Sequence, residues 1–204
     1  MHGIEAAMSA GTDAVQGQPR YAVYYRPPEG TPIAALADRW LGRQPEGGDP
    51  PAPPPEGLDA TAWRGWTEAP RLYGFHATLK PPFKLAKGTS RRNLLDALTL
   101  FAEGRARFSS RPLEIRRIGR FLALSTSAPD PALDDLAASC VEAFDRFRRP
   151  ADNGELARRR ARGLTARQEA LLERWGYPYV MSEFRFHMTL TGALAPDEIE
   201  SAEA

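Results

Sequence analysis

One five-residue phrase occurs twice in nearly the same form, as Phe75-His76-Ala77-Thr78-Leu79 and as Phe186-His187-Met188-Thr189-Leu190. Both copies alternate apolar and polar residues, and on an extended strand successive side chains point to opposite faces. The repeat therefore predicts two half-buried strands, each hiding Phe, Ala or Met, and Leu while presenting His and Thr on the other face. The same parity adds Lys80 to His76 and Thr78, and adds Arg185 and Thr191 to His187 and Thr189.

A lone His-x-Thr on a strand is ordinarily a satisfied polar pair. Here two of only 3 histidines stand in matched contexts, which favours a shared task over a structural one. Imidazole, hydroxyl and cation together suit a phosphate: hydroxyl and cation hold the nonbridging oxygens, and two imidazoles can divide the roles of general base and general acid. Zinc sites take four protein ligands when structural and usually three when catalytic. His2 lies in the leading stretch, Cys140 is the single cysteine, and the sequence holds no His-Glu-x-x-His or Cys-x-x-Cys. No metal and no cofactor are expected.

The 204 residues, 42% of them apolar, are enough to bury a core in one domain or in two closely packed lobes. A net charge of +1 from 27 basic and 26 acidic residues gives no global field for long nucleic acid. A small phosphorylated sugar or nucleotide, held by a local basic pocket, is the expected partner. One cysteine forms no internal disulfide, residues 1–19 lack the basic and apolar regions of a signal peptide, and no apolar run approaches the ~20 residues that span a bilayer. The expected setting is cytoplasmic, away from membranes, with the oligomeric state open.

Along the chain, residues 1–19 read as a disordered leader and 20–204 as one two-lobed α+β domain. Tyr21 to Arg26 reads as a strand, and Thr31-Pro32 starts a helix that runs to about Leu41. The Pro/Gly-rich stretch 45–57 reads as a loop, followed by Trp63 and Trp66, which either anchor the returning chain in the core or edge the pocket. Lys80-Pro81-Pro82-Phe83 is expected to end the first repeat strand. Thr89 or Ser90 caps a helix bearing Leu94, Leu95, Leu98 and Phe101 and ending near Gly104. Strands are expected over 112–118 and 121–125, a helix over 131–147 with Cys140 in its core stripe, and a helix at Leu171, Leu172 and Trp175 that stops near Gly176. The arginine-rich stretch 146–167 reads either as a solvated helical face or as a flap that brings guanidinium groups to a multiply phosphorylated substrate.

Three stretches carry a resemblance: Arg20 to Pro28, Tyr73 to Phe83, and Leu164 to Tyr179 leading to Phe184-Arg185-Phe186-His187-Met188-Thr189-Leu190-Thr191-Gly192. From Arg20 to Gly192 the chain resembles the 2H phosphoesterases, and within them the domain-of-unknown-function branch found beside carbon-phosphorus lyase genes. The resemblance implies a pseudo-symmetric two-lobed fold with antiparallel sheets around a central cleft. It also implies a metal-independent cyclic phosphodiesterase, with His76 and His187 as acid and base and Thr78 and Thr189 on the nonbridging oxygens. A phosphosugar such as 5-phosphoribosyl 1,2-cyclic phosphate is the implied substrate, with Lys80, Lys84 and Arg185 as candidates for its distal phosphate. The rivals are an RNA-end phosphodiesterase acting on 2′,3′-cyclic or 2′-5′ ends, with Tyr25, Tyr73 or Phe83 stacking on bases, and a non-catalytic nucleotide or phosphosugar binder. Because only residues 195–200 follow the second copy as a further element, the second lobe is expected to lack closing strands and to leave a sheet edge open.

Overall fold

The computed structural model describes residues 4–9, 19–43 and 53–203. Six antiparallel strands form one sheet in the order β1-β2-β3-β6-β5-β4: β1 (Ile4–Ser9), β2 (Arg20–Tyr25), β3 (Ala77–Lys84), β4 (Leu113–Ile118), β5 (Phe121–Thr126) and β6 (His187–Thr189). Seven α-helices accompany them: α1 (Pro32–Leu41), α2 (Ala60–Tyr73), α3 (Arg91–Glu103), α4 (Pro131–Ala143), α5 (Asn153–Arg160), α6 (Ala166–Trp175) and α7 (Pro196–Glu203). Mixed α+β architecture is thus present, with both repeat strands adjacent at the centre of a single sheet. Within the stretch expected as a leader, Ile4–Ser9 pairs along the outer edge of β2, from Ile4 opposite Tyr25 to Ser9 opposite Arg20, which covers backbone groups that an edge would expose. The loop expected at 45–57 lies outside the described residues up to position 52.

Local signals account for most helix ends. Thr31 accepts a hydrogen bond from the Ala34 amide and Pro32 occupies the first turn of α1, where its missing N–H costs nothing. Ser90 and Asn93 form a reciprocal capping box on α3, as do Thr165 and Gln168 on α6, each satisfying two otherwise orphaned donors. The expected helix 131–147 ends earlier, at Ala143, and Asp145–Phe147 form a separate 3-10 turn.

Three differences from expectation have physical causes. First, β3 continues through Pro81 and Pro82 to Lys84. Opposite β2 its register slips twice, with Tyr24 facing Thr78, Val23 facing Lys80 and Tyr21 facing Phe83. These bulges accommodate residues that cannot donate to the ladder. On its other side β3 pairs with the three-residue β6 at Ala77 and Met188, and its Lys84 carbonyl accepts from the Arg149 amide at 2.8 Å, so the prolines lie between these two pairings. Second, Trp63 and Trp66 lie within a helix, α2. The indole of Trp63 donates to the Trp40 carbonyl at 2.7 Å and that of Trp66 to Glu198 at 3.1 Å, tying α2 to α1 and α7. Third, β6 is not left without a neighbour. β5 pairs with it from Ala123 opposite Thr189 to Ser125 opposite His187, and β4 pairs with β5. Strands that precede the second copy in the chain therefore flank it, because antiparallel pairing depends on proximity and not on chain order.

One sheet face is covered. Tyr21, Val23, Leu79 and Phe83 pack with Leu94 and Leu98 of α3 and with Leu136, Ala137 and Cys140 of α4. Ala77 and Met188 pack beside them with Ala37 and Leu41 of α1 and Leu133 of α4. Near the chain's end, Ile199 of α7 and Leu194 close over Trp66 and Leu122. The opposite face carries the polar residues of the repeat. Among the described residues no helix is long and apolar enough to cross a membrane.

Candidate functional site between the paired His-x-Thr strands

The antiparallel register that sets Ala77 against Met188 determines what lies beside that pair. It puts His76 across from Thr189 and Thr78 across from His187, all four on the face opposite the buried Ala77 and Met188. Directly opposed residues in such a ladder have Cβ atoms about 4.5–5.5 Å apart, so two imidazoles and two hydroxyls form a diagonal quartet. All four residues are half-buried. His76, Thr78 and Thr189 line a cavity of about 490 Å³, walled by Tyr24, Phe121 and Thr191 and rimmed by Pro70, Tyr73 and Gly74 at the end of α2.

The two histidines are held alike. His76 Nδ1 lies 2.8 Å from the Gly74 carbonyl and His187 Nδ1 lies 2.8 Å from the Arg185 carbonyl. A carbonyl only accepts, so each neutral ring carries its proton on Nδ1 and leaves Nε2 as the acceptor. The ring of Tyr24 lies 3.9 Å from that of His76, centroid to centroid, and the ring of Phe121 lies 5.9 Å from that of His187. Burial lowers the His76 pKa below the ordinary histidine value; the Gly74 carbonyl opposes this, and the charges of Arg26, His187 and Arg43 add to the lowering. The guanidinium charges of Arg26 and Arg43 near this ring favour an anionic ligand over a cationic one.

Gly74 sets the approach to this site. It ends α2 with its amide on the Pro70 carbonyl and has φ 75 and ψ 173, a region essentially restricted to glycine. Its absent side chain leaves room for Arg43, whose Nη1 would stand 2.2 Å from an added Cβ. On the far side, Gly192 donates to the Trp66 carbonyl at 2.6 Å, and the buried Thr191 hydroxyl accepts from the Leu122 amide at 3.0 Å. The end of β6 is thereby clipped to both α2 and β5.

The remaining sequence candidates are distributed differently. Tyr73 stands at the rim, 44% exposed. Lys80 turns to the helical face, because the β3 bulge puts it opposite Val23 while Thr78 stays opposite Tyr24. There it is only 2% exposed, donates to the Val141 carbonyl at 2.9 Å and lies 3.6 Å from Asp145. Tyr25 also belongs to the helical side, packed against Phe186 with ring centroids 6.4 Å apart. Its neighbour Tyr24 is the aromatic residue of the cleft, legible from the alternation that makes Val23 a core residue. Lys84 borders a separate recess with Arg148 and Arg149, and Arg185 is exposed just before β6.

Residues 78–204 match the family described as "Protein of unknown function (DUF1045)". The chain belongs to this family. It is 42% identical over 176 residues to a protein named ribose 1,5-bisphosphate phosphokinase PhnN from Janthinobacterium sp. (strain Marseille), covering 86% of this chain and 39% of that protein. It is 36% identical over 181 residues to a protein of the same name from Laribacter hongkongensis (strain HLHK9), covering 89% of this chain and 41% of that protein. The chain thus spans about two fifths of the length of these curated relatives. No solved structure matches it.

These names overturn the expected phosphoric diester hydrolase, whether directed at a cyclic phosphosugar or at RNA ends. Both relatives are named as kinases, which transfer a phosphoryl group, and neither as a hydrolase. The cause of the error is chemical. Paired imidazoles and hydroxyls indicate that phosphate oxygens are held, and the same set serves cleavage, transfer or binding. The expectation of a small phosphorylated sugar is consistent with the relatives' name; that of a domain-of-unknown-function family stands.

Proposed function

We propose that this chain holds a ribose phosphate in the cleft between β3 and β6, as the sugar-phosphate-binding part of a ribose 1,5-bisphosphate phosphokinase. The observation that carries this reading is the quartet of His76, Thr78, His187 and Thr189 around the single Ala77–Met188 pair. A phosphoryl group seated over that pair would accept from both threonine hydroxyls, and from Nε2 of either histidine once protonated; hydrogen bonds to an ionised acceptor are about twice as strong as neutral ones. Arg26 and Arg43, whose charges reach His76, favour the anion further. A cavity of about 490 Å³ falls within the range of roughly 300–1,000 Å³ usual for small-ligand sites. The relatives' name supplies the ligand class and the kinase reaction. From the 2H resemblance this reading keeps the scaffold, two pseudo-symmetric halves that each contribute one His-x-Thr, and leaves its hydrolytic chemistry aside.

Calorimetric titration with ribose 1,5-bisphosphate tests the reading. The parent chain is expected to bind, and His76→Ala and His187→Ala are each expected to weaken binding by about tenfold, the loss of one charge-assisted contact. Equal affinity in parent and variants, or no binding by a folded parent, would overturn it. Adding ATP and following the phosphorus spectrum of the same samples shows whether transfer occurs in this chain by itself.

A further inference from the structure

A second cavity, of about 220 Å³, opens beside α5 and shares no lining residue with the His-x-Thr cleft. Its walls are Arg20 from the start of β2, Glu155, Arg158 and Arg159 from α5, Arg162 just beyond that helix, and the Tyr177 to Tyr179 turn. Four guanidinium groups thus face one carboxylate. That carboxylate is shared, because Glu155 lies 3.4 Å from Arg20 and 3.1 Å from Arg159. Arg158 and Arg162 form no salt bridge among the described residues.

Arg159 is held from two sides. Its guanidinium stacks on the Tyr177 ring at 4.7 Å and donates through Nη2 to Glu155. Its Nε is nevertheless buried and without a hydrogen-bond partner, although a buried guanidinium N–H is costly to leave unmatched. The stacking and the ion pair fix the planar fork at the cavity wall. A pre-oriented fork among further cations is an arrangement that recognises oxyanions. Several guanidinium groups around one cavity suit a tetrahedral anion, which offers oxygens in several directions, better than a planar carboxylate.

We propose that the cavity formed by Arg20, Arg158, Arg159, Arg162 and Tyr177 is a second anion site, which takes the phosphoryl group of a phosphate monoester or free inorganic phosphate. The exposed ring of Tyr179, which lines the cavity, offers an apolar surface for the organic part of a monoester. The site is independent of the His-x-Thr cleft and does not require the reading given for it.

The test uses the full chain carrying His76→Ala and His187→Ala together, so that binding in the cleft does not contribute. Inorganic phosphate, ribose 5-phosphate and adenosine monophosphate are each titrated by calorimetry. At least one is expected to bind saturably, and their order tells free phosphate from a sugar phosphate or a nucleotide. Adding Arg158→Ala and Arg162→Ala, both exposed positions, is expected to weaken that binding by roughly tenfold or more. Arg159→Lys, which keeps the charge and removes the fork, is expected to weaken it as well. No binding by the folded double-histidine protein, or binding that these arginine changes leave intact while circular dichroism shows the native spectrum, would overturn the proposal.

Discussion

His76 shows how one side chain of the proposed site is held in place. Its Nδ1 rests on the Gly74 carbonyl, its ring lies against Tyr24, and burial among cations lowers its pKa from the ordinary value. The free protein at neutral pH thus holds it uncharged. A bound phosphate would stabilise the imidazolium and reverse the shift. Binding is then expected to take up a proton in the window between the free and bound pKa values, and affinity to fall as pH rises through the bound value. Imidazole resonances followed by NMR with and without ribose 1,5-bisphosphate check this; a His76 titration that the ligand leaves unmoved would contradict the proposed contact. The two histidines and two threonines were legible from the sequence because their alternation survives at Ala77 and Met188. Lys80 was misplaced because strict alternation was assumed through a strand that bulges, whereas for Tyr25 the alternation in β2 was not applied: it sets Tyr25 with Val23 on the helical side.

Among the elements, the junction from α2 to β3 has the most effect on the site. Gly74 must hold a backbone conformation open to glycine and must leave space for Arg43, while its carbonyl orients His76. Gly74→Ala is therefore expected to cost about 1–3 kcal/mol of stability from backbone strain and to weaken sugar-phosphate binding. Gly119→Ala, at another positive φ but with open space around it, is expected to destabilise without changing affinity. Chemical denaturation and calorimetry on both variants separate the two effects. Elements with explicit punctuation were readable in advance: α1 from Thr31-Pro32, α3 from Ser90 to Gly104, and the end of α6 from Gly176. By contrast α2 gave little sign of itself, since Pro70 lies within it and its tryptophans are satisfied by carbonyl and carboxylate partners on other elements.

For the molecule as a whole, the buried Lys80 makes stability depend on pH in an unusual direction. Burial brings its ammonium down to about 8, with Asp145 opposing the shift, whereas in an unfolded chain it titrates near ~10.4. Between these values the unfolded state binds more protons, so stability should rise with pH across that window by roughly 2–3 kcal/mol from this residue. The Cys140 thiol, pushed up to about 12 by burial, works in the opposite direction above the ordinary thiol range. Comparing denaturation of the parent with Lys80→Met from pH 7 to 10 isolates the lysine, and a parallel pH dependence in the two proteins would rule this account out. At this scale the sequence conveyed an antiparallel α+β architecture. It did not convey the reaction, because the donors that hold phosphate are common to several chemistries.

The brevity of β6 has a mechanical consequence. In the ladder between β3 and β6 one residue pair, Ala77 with Met188, joins the half of the sheet containing β1 to β3 to the half containing β4 to β6. His76 and Thr78 stand on one side of that seam, Thr189 and His187 on the other. A ligand gripped by all four would act as a rivet across the shortest ladder of the sheet, so that occupancy and the cohesion of the two halves rise together. At a ligand concentration 100 times its Kd, such a clasp strengthens the fold by about 2.7 kcal/mol, and amide exchange along β6 should slow accordingly.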